Sequence, residues 1–213
     1  NAYTHVENEL IDEAIAKVMG AIESRGWGND LDVLYTTDHG EFQGDFGLLF
    51  KGPYHVDSLM RLPLIWRPAP SANIAPARVS APVGHVSLAA TFAHIAGMAQ
   101  PSYVEAPRLP IHQAEAEQLG HERVLTEWDS VLFGKIVHLR TICRDNWVCT
   151  AALDGTMSKA GEGELYDLTH DPLQHVNRWD DPSVRALRED LLADMWDNLP
   201  SQQLPLRSMD APV

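Results

Sequence analysis

Thr36-Thr37-Asp38-His39-Gly40-Glu41 places a carboxylate directly before an imidazole and follows both with a glycine. Asp38 and His39 could offer an oxygen and a nitrogen to one metal ion from a single sharp turn. Gly40 lets the backbone make that turn without a side-chain clash. Alone, such a tripeptide is commonly a plain turn in which the Asp bonds the backbone and the His is exposed. Its weight rises because Lys51 follows, in Gly47-Leu48-Leu49-Phe50-Lys51-Gly52-Pro53-Tyr54-His55. A lysine held between Gly47 and Gly52, in an apolar loop near a metal, is well placed to contact an anionic ester oxygen. Without the Asp-His pair it would read as a solvated surface lysine. His55 admits two readings, a proton donor to a leaving group or a packing residue beside Tyr54.

These residues need a strand to deliver them. Leu31 to Thr36 is a short β-branched and aromatic run of the kind found in a buried parallel strand, ending where open α/β sheets bind their ligands. Before it, Val6, Leu10, Ile11, Ala14, Ile15, Val18, Met19 and Ile22 recur at helical spacing, and Gly26 and Gly28 end the helix. Leu62 to Trp66 is a second apolar run, and Ala69 to Pro82 reads as an irregular connection. Another helix is expected over Leu88 to Ala96, capped by Ser87 and ended by Gly97. From about Arg123 short strands follow: Val124–Trp128, Ile136–Cys143, Trp147–Ala152 and Leu165–Leu168. Asp145-Asn146 makes a turn between two of them. Ser183 to Asn198 is the last amphipathic helix. The pattern predicts an α/β fold followed by a small antiparallel sheet with a helix.

The 213 residues suit one domain, or one with an appendage, and the hydrophobic fraction of 45% is that of a globular protein. No apolar stretch is long enough to span a bilayer. A formal net charge of −14 argues against nucleic-acid or anionic-membrane binding and makes any anionic substrate depend on local positive charge. Cys143 and Cys149 flank a turn and read as two thiols of a hairpin, neither a disulfide scaffold nor a metal pair. The chain opens on Asn1 already in helical pattern, so further residues upstream are expected, with any export signal among them; the compartment, cytoplasmic or periplasmic, stays open.

Together the segments resemble the sulfatase family of the alkaline phosphatase superfamily. The family's Thr-Ser-Asp-His-Gly-Glu is matched by Thr36 to Glu41, its Gly-rich loop with a lysine by Gly44 to Lys51, and its aromatic and acidic pair by Tyr54 to Asp57. Its Arg-Val-Pro-Leu-Ile is matched by Arg61-Leu62-Pro63-Leu64-Ile65. Val86 to Thr91 is similar to its Val-Asp-Leu-x-Pro-Thr helix, and Glu164-Leu165-Tyr166-Asp167-Leu168 with Asp171-Pro172 to its terminal signature. The resemblance implies the C-terminal part of a helix-sandwiched mixed β-sheet, residues 1–121, and a small antiparallel sheet-and-helix subdomain, residues 122–213.

It further implies that Asp38 and His39 are metal ligands, Lys51 a sulfate- or phosphate-binding group, and His55 a candidate acid. The metal is one divalent cation, Ca2+ in the usual case, with Mg2+ or Mn2+ as alternatives. The family's nucleophile lies in Cys-or-Ser-x-Pro-x-Arg, whose first residue becomes formylglycine, and neither form occurs here. The paired aspartates that complete the metal site are also absent from the chain. The nucleophile is therefore expected in an N-terminal half, and this chain alone should be inactive. Two departures stand out: Phe46 in Gly44-Asp45-Phe46-Gly47, where the family has histidine, and Ser87, where it has aspartate. The implied activity is hydrolysis of a small-molecule sulfate ester. The alternatives are a phosphonate monoester or phosphodiester hydrolase, and a half-length binding module without turnover. The expected partners are the N-terminal half and, with its apolar faces uncovered, other copies of the chain in a homo-oligomer.

Overall fold

A computed structural model describes residues 2–132, 134–156 and 158–199. The chain forms two compact units, one of residues up to 51 with 58–76, the other of 52–57 with the described residues from 77 on. Helices, a two-stranded sheet and a four-stranded antiparallel sheet make the architecture mixed α/β. Among the described residues no helix is long and apolar enough to cross a membrane.

In the first unit, α1 (Ala2–Ser24) carries the apolar stripe read from the sequence. It ends at Gly26, which takes φ 73°. The Gly26 N–H donates to the Glu23 carbonyl at 2.9 Å and the Trp27 N–H to the Ile22 carbonyl at 3.2 Å, closing carbonyls that the last turn leaves open. β1 (Val33–Thr36) then pairs with β2 (Leu64–Arg67), in register from Val33 opposite Arg67 to Thr36 opposite Leu64. The pairing is antiparallel, where the apolar run suggested a parallel strand. Three of its four side chains are half-buried and one is exposed. An apolar run specifies a strand without specifying the direction of its neighbour. The Trp66 indole N–H donates to Asp32 Oδ1 at 2.8 Å and fixes the entrance to the pair. The one-turn helix α2 (Asp57–Met60) leads into β2.

The second unit opens with α3 (Ser87–Ile95) and α4 (Gln113–Gln118). Ser87 is not the cap expected of it. It lies inside α3, is buried, and its carbonyl accepts from the Thr91 hydroxyl at 2.7 Å. The sheet follows as a meander, β3 (Arg123–Leu132), β4 (Lys135–Arg144), β5 (Trp147–Ala152) and β6 (Gly163–Asp167), with every neighbour antiparallel. Asp145 and Asn146 take φ of 52° and 61°, the left-handed pair that a two-residue hairpin turn requires.

Alternation along the strands sends Ile142, Cys149, Ala151 and Leu165 to one face, where Leu191 and Met195 of α5 (Arg185–Asn198) complete a core. Burial of a side chain such as Leu191 stabilises the unit by about 1.5–3 kcal/mol. Arg144 binds Asp190 and, at 2.6 Å, Asp194, tying α5 to β4. Cys143 pairs across with Val148, and Cys149 with Ile142, so the two thiols point to opposite faces and neither is in a disulfide. Burial pushes the Cys149 thiol up to about 12.

Candidate functional site

Asp38 and His39 leave the end of β1 in a turn that the backbone holds tightly. The Gly40 N–H donates to the Leu59 carbonyl at 2.8 Å. A β-carbon on residue 40 would stand 1.9 Å from the Ser58 carbonyl oxygen. Glycine is required here by that close approach of backbone to backbone.

Residues 42 to 50 form a loop closed on itself. The Phe42 N–H donates to the Phe50 carbonyl at 2.9 Å, with further bonds from Asp45 to Phe42, from Gly47 to Gly44 and from Gly44 to Leu48. The pinned ends bring Lys51 back to the turn that precedes the loop. Its Nζ lies 2.7 Å from His39 Nε2.

The protonation of His39 follows from its partners. Nδ1 faces the Gly40 carbonyl oxygen at 2.8 Å. A carbonyl only accepts, so Nδ1 carries the hydrogen and Nε2 of the neutral ring presents a lone pair. Lys51 donates to that lone pair, and Asp38 Oδ2 lies 3.4 Å from the same nitrogen. Asp38 Oδ1 accepts from the His39 backbone N–H at 3.0 Å and from the Thr37 hydroxyl at 3.3 Å. The His39 backbone N–H holds the Asp38 carboxyl below its ordinary range, with the Thr37 hydroxyl adding to the effect. A carboxylate oxygen, an imidazole lone pair and an ammonium therefore converge in the first unit. The first two are donors suited to a cation, and the imidazole is oriented through its other nitrogen as metal-binding histidines usually are. Among the described residues no group of three or more His, Cys, Asp or Glu side chains gathers to hold a metal. The pair can supply part of a coordination shell.

His55 belongs to the second unit. It is 3% exposed, and its Nδ1 lies 2.8 Å from Thr141 Oγ1, which in turn meets Thr150 Oγ1 at 2.8 Å. Its ring stands edge-on to Trp128. Burial, with the Arg140 charge, holds its pKa down at about 4. A buried imidazole kept neutral at ordinary pH lacks the acidic imidazolium proton, and its contacts with Thr141 and Trp128 are those of a packed side chain. His55 also lines a cavity of about 270 Å3 over the face of the sheet opposite α5, with Tyr54, Leu139, Thr150 and Glu164. Burial raises the Glu164 carboxyl.

Thr37 is the contact that sequence reasoning passed over. Its hydroxyl reaches both Asp38 Oδ1 and the His39 carbonyl, each at 3.3 Å. A hydroxyl residue directly before an Asp turn is the signal that could have marked it.

No family model matches the chain. It is 29% identical over 196 residues to the uncharacterized sulfatase YidJ of Escherichia coli (strain K12), a match that covers 90% of this chain and 37% of the relative. The chain thus spans little more than a third of that protein. Among solved structures it is similar to BT4656 in complex with its substrate D-glucosamine-2-N,6-O-disulfate, with TM-score 0.71, 21% identity, and coverage of 88% of this chain and 37% of that one. It is similar also to the phosphonate monoester hydrolase of Agrobacterium radiobacter, with TM-score 0.72, 18% identity, and coverage of 88% and 38%. At such identities the structural likeness establishes a shared fold.

Proposed function

This chain belongs with the sulfatases of the alkaline phosphatase superfamily, and from that premise we propose that it serves the hydrolysis of a small-molecule sulfate ester. The observation that carries the reading is the convergence of Lys51 Nζ and Asp38 Oδ2 on His39 Nε2.

In this reading Asp38 Oδ2 and His39 Nε2 are two ligands of one divalent cation. The orientation of Nε2 by the Gly40 carbonyl and the nearness of the carboxylate fit that role. Calcium is the family's usual metal, although an imidazole ligand suits manganese or another transition metal better, and magnesium is a further alternative. Two ligands leave a six- to eight-coordinate shell incomplete, so the remainder would come from the share of the sulfatase architecture that this chain does not span. The formylglycine nucleophile would come from there too, and this chain alone would not turn over. The metal, when bound, supplies charge neutralisation at the transferring group.

Lys51 gives its ammonium to a non-bridging sulfate oxygen. That contact holds the anion in position while the S–O bond to the leaving alcohol breaks, its electron pair departing with the alcohol oxygen. Were Nε2 to hold a cation, Lys51 would lose its acceptor on His39 and would be left to contact an anion. Residues 1–121 would belong to the catalytic domain and 122–213 to the subdomain, a division of family architecture distinct from the two compact units. The net charge of −14 opposes binding to nucleic acid.

The likeness to a phosphonate monoester hydrolase supports a second reading, because both substrates present tetrahedral anionic oxygens to the same three groups. Matched aryl sulfate and aryl phosphonate esters separate them, tested on the protein that carries this chain together with the rest of the sulfatase architecture. The sulfate should turn over faster, and Lys51→Met should lower its rate by about a hundredfold or more. A reversed ratio favours the phosphonate reading. Turnover of neither ester leaves the chain a binding module.

A further inference from the structure

α2 touches the Asp38-His39-Gly40 turn through two successive carbonyls. That of Leu59 accepts from the Gly40 N–H at 2.8 Å, and that of Ser58 would lie 1.9 Å from a β-carbon on residue 40. Gly40 in turn presents its own carbonyl to His39 Nδ1, the contact that leaves Nε2 with its lone pair. The place of α2 therefore bears on where the two donors of the turn point.

The first residue of α2 is held by a side chain distant in sequence. The Asp57 N–H donates to Gln174 Oε1 at 2.6 Å, a bond within the second unit, and one peptide bond joins Asp57 to Ser58 of the first. Gln174 makes this contact under strain. It is 2% exposed and takes φ of 56°, a left-handed conformation that long side chains seldom adopt. Its Nε2 is buried and, among the described residues, has no hydrogen-bond partner, although buried polar atoms are nearly always paired. Local bonds keep the backbone there. The Gln174 N–H donates to the Asp171 carbonyl at 3.0 Å, and the Asp171 carboxylate accepts from the N–H groups of His175 and Val176 at 3.0 and 2.8 Å. Backbone strain of this kind gathers at functional sites and persists only where the surroundings enforce it.

We propose that Gln174 is a positioning residue for the cation site: its side-chain oxygen fixes the start of α2, whose Ser58 and Leu59 carbonyls set the turn that carries Asp38 and His39. The proposal rests on the reading of Asp38 and His39 as ligands of one divalent cation. Metal–ligand distances are fixed to within about 0.2 Å, so a turn free to shift by more than that binds a cation less well. The first N–H groups of a helix find no partner within it. Gln174 supplies one to Asp57, and its loss frees the start of α2 to shift.

The test measures Ca2+ and Mn2+ affinity by isothermal titration calorimetry, on the metal-free protein that carries this chain with the rest of the sulfatase architecture. Gln174→Met keeps most of the side chain's volume, and Gln174→Gly relieves the left-handed backbone. The two share only the loss of the accepting oxygen. Each should weaken cation binding about tenfold with the number of sites unchanged, whereas a general loss of folded protein lowers the number of sites. Parent-like affinity in either variant overturns the positioning role and leaves the metal ligands standing. A parent protein that takes up neither cation overturns the ligand assignment, and the positioning role with it. Hydrogen exchange on the unsubstituted protein gives a reading that needs no variant. The Asp57 and Gly40 amides should both be protected, and free exchange of the Asp57 amide overturns the proposal.

Discussion

His39 carries its hydrogen on Nδ1 because the atom opposite is a carbonyl oxygen, and this leaves Nε2 to Lys51 and to the neighbourhood of Asp38. The motif residues could be read from the sequence because they are contiguous, or follow in one loop. The tautomer could not, since it depends on where the Gly40 carbonyl points. For His55 the sequence supported two roles, and its burial fits the packing one. Its folded pKa of about 4 lies below the 6.5 of an unfolded imidazole. As pH falls from 6.5 toward 4, the unfolded chain takes up a proton that the folded chain refuses, so stability is lost across that window. Above 6.5 this contribution is complete. The displacement corresponds to about 3 kcal/mol. Urea unfolding at pH 7 and at pH 5 should show a smaller drop for His55→Phe than for the parent. Equal drops would place the buried imidazole outside the acid response. Asp129, Glu164 and the other shifted carboxyls titrate in both proteins and cancel in the comparison.

At the scale of elements, the site depends on one turn and one loop. Helical spacing in α1 and α5, and the Asp145-Asn146 turn, were legible because period and turn chemistry are local. The antiparallel partner of β1 was not, because it lies some thirty residues further along the chain. Gly40 shows the same division. Its need for glycine was read as freedom to turn, whereas the reason is the Ser58 carbonyl packed against it. Neither backbone can move aside cheaply. Gly40→Ala should therefore destabilise the chain by at least about 2 kcal/mol, measured by urea unfolding, and should lengthen the separation of Lys51 from His39. A substitution without effect on stability would mean that the turn and Ser58 of α2 are not packed as described.

For the whole molecule, the apolar stripe of α1 lies exposed along its length. Val6, Leu10 and Val18 are 54, 60 and 59% exposed, and no residue of α1 is buried. A stripe of this length on a chain that spans 37% of its curated relative predicts association. The chain prepared by itself should elute as an assembly in size-exclusion chromatography with light scattering, and Leu10→Glu should shift it toward the monomer. A monodisperse monomer in both cases would count against an adhesive stripe. Metal content decides whether Asp38 and His39 hold a cation beside Lys51, as proposed. In the protein that joins this chain to the rest of the sulfatase architecture, Asp38→Ala should lose the bound divalent cation, and turnover of an aryl sulfate should fall by about a hundredfold or more. Unchanged metal content and unchanged turnover would contradict the assignment.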